Sequence, residues 1–115
     1  MSVPEDCLFC RIVRGEIPVP FVYETPRCVA FRDINPQAPL HVLIVPREHV
    51  PTLDVAHDAT LIGELSLAAA ELARREGVAE RGYRTVMNTN ADAGQTVFHV
   101  HLHLLGGRTL GWPPG

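Results

Sequence analysis

The sequence predicts an α+β domain, a five-stranded antiparallel sheet with one long and one short helix. Three observations lead there. Short β-rich runs outnumber helical ones, the connections are mostly short, and one stretch alone has the length and periodicity of a long helix. The helices are expected on one face of the sheet.

In chain order, residues 7–14 read as a short helix that stops at Gly15. Pro18 and Pro20 then favour extended backbone. Residues 21–24 and 28–33 read as two strands, with Thr25-Pro26-Arg27 as the turn between them. Asn35-Pro36 and Ala38-Pro39 mark a loop. Residues 41–45 form a buried strand by their β-branched content, ended by Pro46. Residues 58–76 are the long helix, with Leu61, Leu65, Ala68 and Leu72 as its inner stripe and Gly77 as its stop. Residues 83–88 form the fourth strand, 90–94 a small polar loop, and 97–105 the fifth strand, ended by Gly106-Gly107. The tail Gly111-Trp112-Pro113-Pro114-Gly115 is not helical.

Composition narrows the function. The 115 residues fit one domain, 1–115, and their 46% hydrophobic content supports a core. No run of about 18 apolar residues occurs, so no membrane span is expected. The N-terminal residues 1–6 are acidic and lack a signal pattern, which makes cytoplasmic location the expectation. A net charge of −3 without a basic run argues against nucleic-acid binding. All ten basic residues are arginine, which excludes a Schiff-base lysine and a lysine-bearing P-loop. The three cysteines, Cys7, Cys10 and Cys28, do not form a secreted disulfide framework.

The chemistry concentrates in His99-Val100-His101-Leu102-His103-Leu104-Leu105. On a strand, this alternation puts three imidazoles on one face, adjacent ones roughly 6–7 Å apart and the outer pair about 13 Å apart. One metal reaches two neighbours in such a row but not all three. Three readings stand at this point: a half-buried strand with a histidine-rich face, a catalytic zinc on two of the three, and a nucleophilic histidine flanked by supporting ones. The third accounts best for strict alternation followed by Gly-Gly.

Residues 99–105 match the His-φ-His-φ-His-φ-φ motif (φ, apolar), and the chain here resembles the histidine triad (HIT) family. The similarity extends over Cys28-Val-Ala-Phe-Arg-Asp-Ile-Asn-Pro-Gln-Ala-Pro-Leu-His41, Val42-Leu-Ile-Val-Pro46 and Gly94-Gln95-Thr96-Val97. The ending, Leu105-Gly-Gly-Arg with Trp112-Pro113-Pro114-Gly115, is similar to the Hint branch. The resemblance implies a homodimer whose two sheets join into a continuous ten-stranded one. It also implies purine nucleotide binding and hydrolysis of nucleoside phosphoramidates or adenylylated compounds at the α-phosphate.

Residue by residue, the resemblance makes His101 the nucleophile, forming a nucleotidyl-imidazole that water then cleaves. The His99 carbonyl would hold its other ring nitrogen. His103 would donate to a phosphate oxygen, helped by Asn88 and by backbone N–H groups of the Gly94-Gln95-Thr96-Val97 turn. Thr96 stands where relatives usually carry serine, and Arg32 where they often carry histidine. His41 resembles a residue that hydrogen-bonds into the triad, and Asp33 the carboxylate that accepts the ribose hydroxyls. Phe9, Phe31, Ile34 and Leu43 would form the base pocket, though each is equally explicable as core. Trp112 either packs the tail or reaches the partner subunit's site.

Cys7-x-x-Cys10 has the spacing of half a tetrahedral zinc site. By resemblance to bacterial relatives carrying this pair, His49 and His99 complete it as a structural Zn2+ site that the chemistry itself does not need. A reduced pair on a helix and a redox pair are the other readings. Cys28 reads as a small buried apolar residue. Two other functions compete with the phosphoramidase: a zinc-dependent hydrolase, which chelation would stop at once, and a non-catalytic nucleotide-sensing or partner-binding protein, which would bind tightly and turn over weakly.

Overall fold

A computed structural model describes residues 6–115. The acidic stretch that entered the localisation reading lies, but for Asp6, outside the described residues. The elements are α1 (Leu8–Val13), β1 (Tyr23–Glu24), β2 (Cys28–Arg32), β3 (Leu40–Pro46), α2 (Ala59–Arg75), β4 (Tyr83–Val86) and β5 (Leu102–Gly106), with 3-10 turns at Leu53–Val55 and Ala91–Ala93. The five strands form one antiparallel sheet in the order β1-β2-β3-β5-β4, as expected from the short connections.

Local chemistry explains the element ends. The Cys7 sulfur accepts from the Cys10 N–H at the start of α1, and the Asp58 carboxylate accepts from the Leu61 N–H at the start of α2. Thr25 Oγ1 accepts from Cys28 N–H at 2.9 Å and closes the turn between β1 and β2. Leu61, Leu65, Ala68 and Leu72 are buried along α2 as the periodicity predicts.

The helices do not share a face. Side chains alternate along a strand, so β2 and β3 each present two apolar sets. Ala30, Val42 and Ile44 pack under α2 with Leu102 and Leu104. Val29, Phe31, Leu43 and Val45 pack on the other side with Phe9, Cys10 and Ile12 of α1. β3 is buried along its whole length because both faces are covered. The apolar run at 42–45 already carried that signal, since a one-faced strand alternates.

The fifth strand is shorter than expected. It begins at Leu102, so His99 and His101 precede it. The ladder with β3 ends at Ile44↔Leu102. Pro46 has no N–H to extend that ladder, and the His99 ring reaches its carbonyl at 2.8 Å instead. Val100 N–H turns to the Val50 carbonyl at 2.7 Å. The fourth strand likewise ends at Val86, leaving Asn88 in the following loop.

Candidate active site and metal centre

His103 projects from β5 toward the face that carries α1, in register with Leu43. His101 lies just upstream, its ring centroid 5.0 Å from that of His103. His99, two residues further back, is fully buried and points into a different cluster. The histidines therefore do not form one uniform row: two face a common site and the third turns away. Phe9 packs edge-on to both groups, 5.0 Å from the His101 centroid and 6.0 Å from that of His99.

Backbone partners fix each ring's tautomer. His101 Nδ1 lies 2.8 Å from the His99 carbonyl, which only accepts. The proton is therefore on Nδ1, and Nε2 keeps its lone pair. Gln37 N–H donates to His41 Nδ1 at 3.0 Å, so neutral His41 carries its proton on Nε2. That N–H donates to His103 Nδ1 at 2.9 Å, which leaves the His103 proton on Nε2. The pair of rings is thus one bare nitrogen, on His101, beside one N–H donor, on His103. The Asp33 carboxylate stands 3.5 Å from His41 Nε2 and accepts from Asn35 N–H at 2.8 Å.

Burial keeps these rings neutral. It pushes His103 down to about 4, with the neighbouring His101 and His41 acting in the same direction. It lowers His101 as well, opposed by the bond to the His99 carbonyl and by Asp33. His41 is lowered by burial against the pull of Asp33.

Of the other expected residues, Phe9, Phe31 and Leu43 are buried together on this face, and Phe9 and Phe31 meet edge-to-face at 5.6 Å. Ile34 is fully exposed beyond the end of β2 and joins no core. Asn88 and Val97 are half-buried, and Thr96 is exposed. Gln95 is engaged by its own loop and by the segment after β3: its N–H donates to Asn90 O, its side-chain amide to Pro51 O and Val97 O, and its Oε1 accepts from Asn90 N–H. Gly94 has φ +85°, the left-handed conformation that suits glycine at this turn. Trp112 is exposed, with Arg84 over its ring, and Arg32 pairs with Glu76.

A second group gathers Cys7, Cys10, His49 and His99, whose ligand atoms all lie within 4.8 Å of one another. His99 Nδ1 is 3.4 Å from each sulfur and 3.2 Å from His49 Nδ1, and Cys10 Sγ is 3.3 Å from His49 Nδ1. A tetrahedral ion with bonds of about 2.0–2.3 Å to nitrogen and sulfur gives ligand separations of roughly 3.3–3.8 Å. The geometry and the two-thiol, two-imidazole donor set fit such an ion. The bond from His99 Nε2 to Pro46 O leaves Nδ1 as the lone-pair nitrogen facing the cluster. Burial and the neighbouring Cys7 push the Cys10 thiol up to about 12, a strain that a cation would relieve. Cys28, buried in β2, takes no part.

Sequence reasoning missed three contributors. Gln37 and Pro46 act through backbone groups, which leave no side-chain signature. Arg108, which holds the Gln37 carbonyl at 2.9 and 3.2 Å, was legible only as part of the family-like ending.

The family model described as HIT domain matches residues 14–110. A purine nucleoside phosphoramidase of Escherichia coli is 50% identical over 109 residues, 93% of this chain and 92% of that protein. A HIT-like protein of Synechocystis sp. is 50% identical over 113 residues, 96% of this chain and 98% of that protein. A HIT family hydrolase from Legionella pneumophila has a similar crystal structure, with TM-score 0.93 and 50% identity over 96% of this chain and 100% of that one.

Proposed function

The chain belongs to the HIT-domain family, and from that premise we propose that it is a hydrolase of purine nucleoside phosphoramidates and related adenylylated compounds. The observation that carries the reading is the bond from His101 Nδ1 to the His99 carbonyl, which leaves Nε2 of the neutral ring bare, while burial favours that neutral form. In the first step, Nε2 forms a bond to the α-phosphorus as the P–N bond breaks, and the leaving amine takes a proton from water. In the second, water attacks phosphorus and gives up a proton to bulk water, the P–Nε2 bond breaks with its electron pair returning to Nε2, and the nucleoside monophosphate departs. Dividing one displacement into two lowers each barrier. His103 Nε2–H, oriented through His41, donates to a phosphate oxygen as negative charge builds there. Thr96 and Val97 on the Gly94 turn and Asn88 beside it supply further donors. Asp33 takes the ribose hydroxyls, and Phe9, Phe31, Leu43 and Ile34 receive the base.

Cys7, Cys10, His49 and His99 would hold Zn2+, which contributes rigidity. Four protein donors leave no position for a reactive water, so the ion serves structure and a zinc-dependent hydrolysis is disfavoured. His99 then acts twice, its ring in the metal cluster and its carbonyl on the nucleophile. Among the described residues, the outer strands of the sheet are β1 and β4. Joining two copies at one edge would give the ten-stranded sheet of the proposed homodimer. No described helix is long and apolar enough to cross a membrane.

The test is to quench the reaction early with an adenylylated substrate and map the covalent nucleotide by mass spectrometry. Adenylate on His101 is expected. Turnover with no covalent nucleotide on His101 overturns the mechanism, and tight nucleotide binding without turnover supports the sensing alternative.

A further inference from the structure

We propose that Cys7 and Cys10 are a reversible oxidation site: a peroxide converts the pair into an intrachain disulfide, which dismantles the metal cluster and lowers turnover at the site beside it. The metal-holding pair and the redox pair are then two states of one cluster. The two sulfurs lie within 4.8 Å of each other. Cys7 is the N-cap of α1, and its sulfur is turned over the first turn, where it accepts from the Cys10 N–H at 3.4 Å. Residues three apart in a helix have Cα atoms roughly 5 Å apart, inside the window of about 4.4–6.8 Å that a disulfide needs. Cys28 packs in the core on the opposite face of the sheet and does not compete as a partner.

The two thiols differ in access. Cys7 and His49 line a cleft of about 480 Å3 that opens beside Thr96 and Phe98. Cys10 lies beneath it, 3% exposed against 9% for Cys7. A molecule as small as hydrogen peroxide therefore meets Cys7 first. The Cys7 sulfur attacks the O–O bond and becomes a sulfenic acid, and its proton leaves with the departing hydroxide as water. The Cys10 sulfur then attacks the Cys7 sulfur, the S–O bond breaks, and the Cys10 proton leaves with that hydroxide as a second water. Two thiols are oxidised to one disulfide and one peroxide is reduced to two waters. Where the pair starts as metal-bound thiolates, solvent supplies the two protons.

A disulfide offers no thiolate, and His49 and His99 alone do not complete a tetrahedral site. The loss reaches His101 by two routes. His99 has its ring in the cluster and its carbonyl on His101 Nδ1. Phe9, between the two cysteines, packs edge-on to the His101 ring with centroids 5.0 Å apart. The effect on turnover rests on the proposed role of His101, whereas disulfide formation and metal release do not.

The test treats the reduced, zinc-loaded full chain with hydrogen peroxide. A chromogenic chelator reads released zinc, alkylation with peptide mass spectrometry reads each thiol, and an adenosine phosphoramidate reads turnover. A Cys7–Cys10 disulfide is expected, with about one zinc released per disulfide and Cys28 still reduced. Turnover should fall at least about tenfold and return with dithiothreitol and zinc. Cys10→Ala should stop Cys7 at the sulfenic acid, which dimedone traps; if that variant does not fold, the thiols of the parent chain decide. Cysteines 7 and 10 that stay open to alkylation after peroxide overturn the site. So does a disulfide that forms without releasing zinc, or a loss of turnover that dithiothreitol and zinc do not reverse. A reduced protein without turnover that still forms the disulfide and releases zinc would instead sink the phosphoramidase reading and support this one.

Discussion

At the residue scale, the active pair depends on which nitrogen of each ring holds its proton. Two backbone groups decide this, the His99 carbonyl on His101 and the Gln37 N–H on His41. Replacing His101 with alanine removes the proposed nucleophile, so kcat should fall by at least about a thousandfold while nucleotide affinity stays within a fewfold. Replacing His41 with alanine leaves the nucleophile but frees the His103 tautomer. A loss of about ten- to a hundredfold in kcat with little change in KM should follow, and steady-state kinetics on both variants checks it. The pH dependence has a definite sign. Burial lowers His101 from its ordinary value of about 6.5, so the acid limb of the rate profile should lie below that value. His103 at about 4 adds a stability effect. Between about 6.5 and 4 the unfolded chain binds a proton that the folded one refuses, so stability is lost as pH falls through that window. Thermal melts at pH 7, 5.5 and 4.5 should decline in that order.

At the element scale, the proposed catalytic histidines sit where a strand is stopped. β3 ends in Pro46, its ladder with β5 lapses before His101, and the carbonyl thus freed holds the His99 ring. The irregular run before Leu102 turns His99 toward the cysteines and leaves His101 with His103. At the other end of β5, Gly107 has φ +90°, and a Cβ there would lie 2.9 Å from Pro39 Cβ. Gly107→Ala should cost more than about 1 kcal/mol, read from a denaturant midpoint. It should also disturb Arg108 and hence the Gln37 loop, so kcat should drop as well. Gly63 has open space around it and a helical position, so Gly63→Ala is the control and should be neutral or slightly stabilising.

At the scale of the whole molecule, the sheet separates two cores. α2 covers one side with an aliphatic cluster, and α1 covers the other, where Phe9, Phe31, Cys7 and Cys10 are buried. The candidate active site and the candidate metal cluster both lie on the α1 side, and α1 is only six residues long. So short a helix is marginal alone, and a metal tying Cys7 and Cys10 to His49 and His99 would pin it. Purified protein should contain about one zinc per chain. Chelation should lower Tm by several degrees and erode activity only as α1 loosens, whereas a zinc hydrolase would stop at once. Metal analysis followed by melts with and without chelator tests this.

Periodicity and local chemistry made most of the fold legible. The stripe on α2 and the turn at Thr25 are written in neighbouring residues, because helical and strand spacing are local properties; the antiparallel sheet followed from the short connections, and the joining of the histidine motif to the cysteine pair followed from the resemblance alone. The triad motif likewise named His101, and the resemblance named its carbonyl partner. What local spacing could not decide was that α1 crosses to the opposite face from α2, that β5 begins at Leu102, and that Gln37, Pro46 and Arg108 serve the site. Those outcomes rest on backbone carbonyls and amides brought together from distant parts of the chain. Every residue type carries such groups alike, so only the tertiary structure assigns them partners.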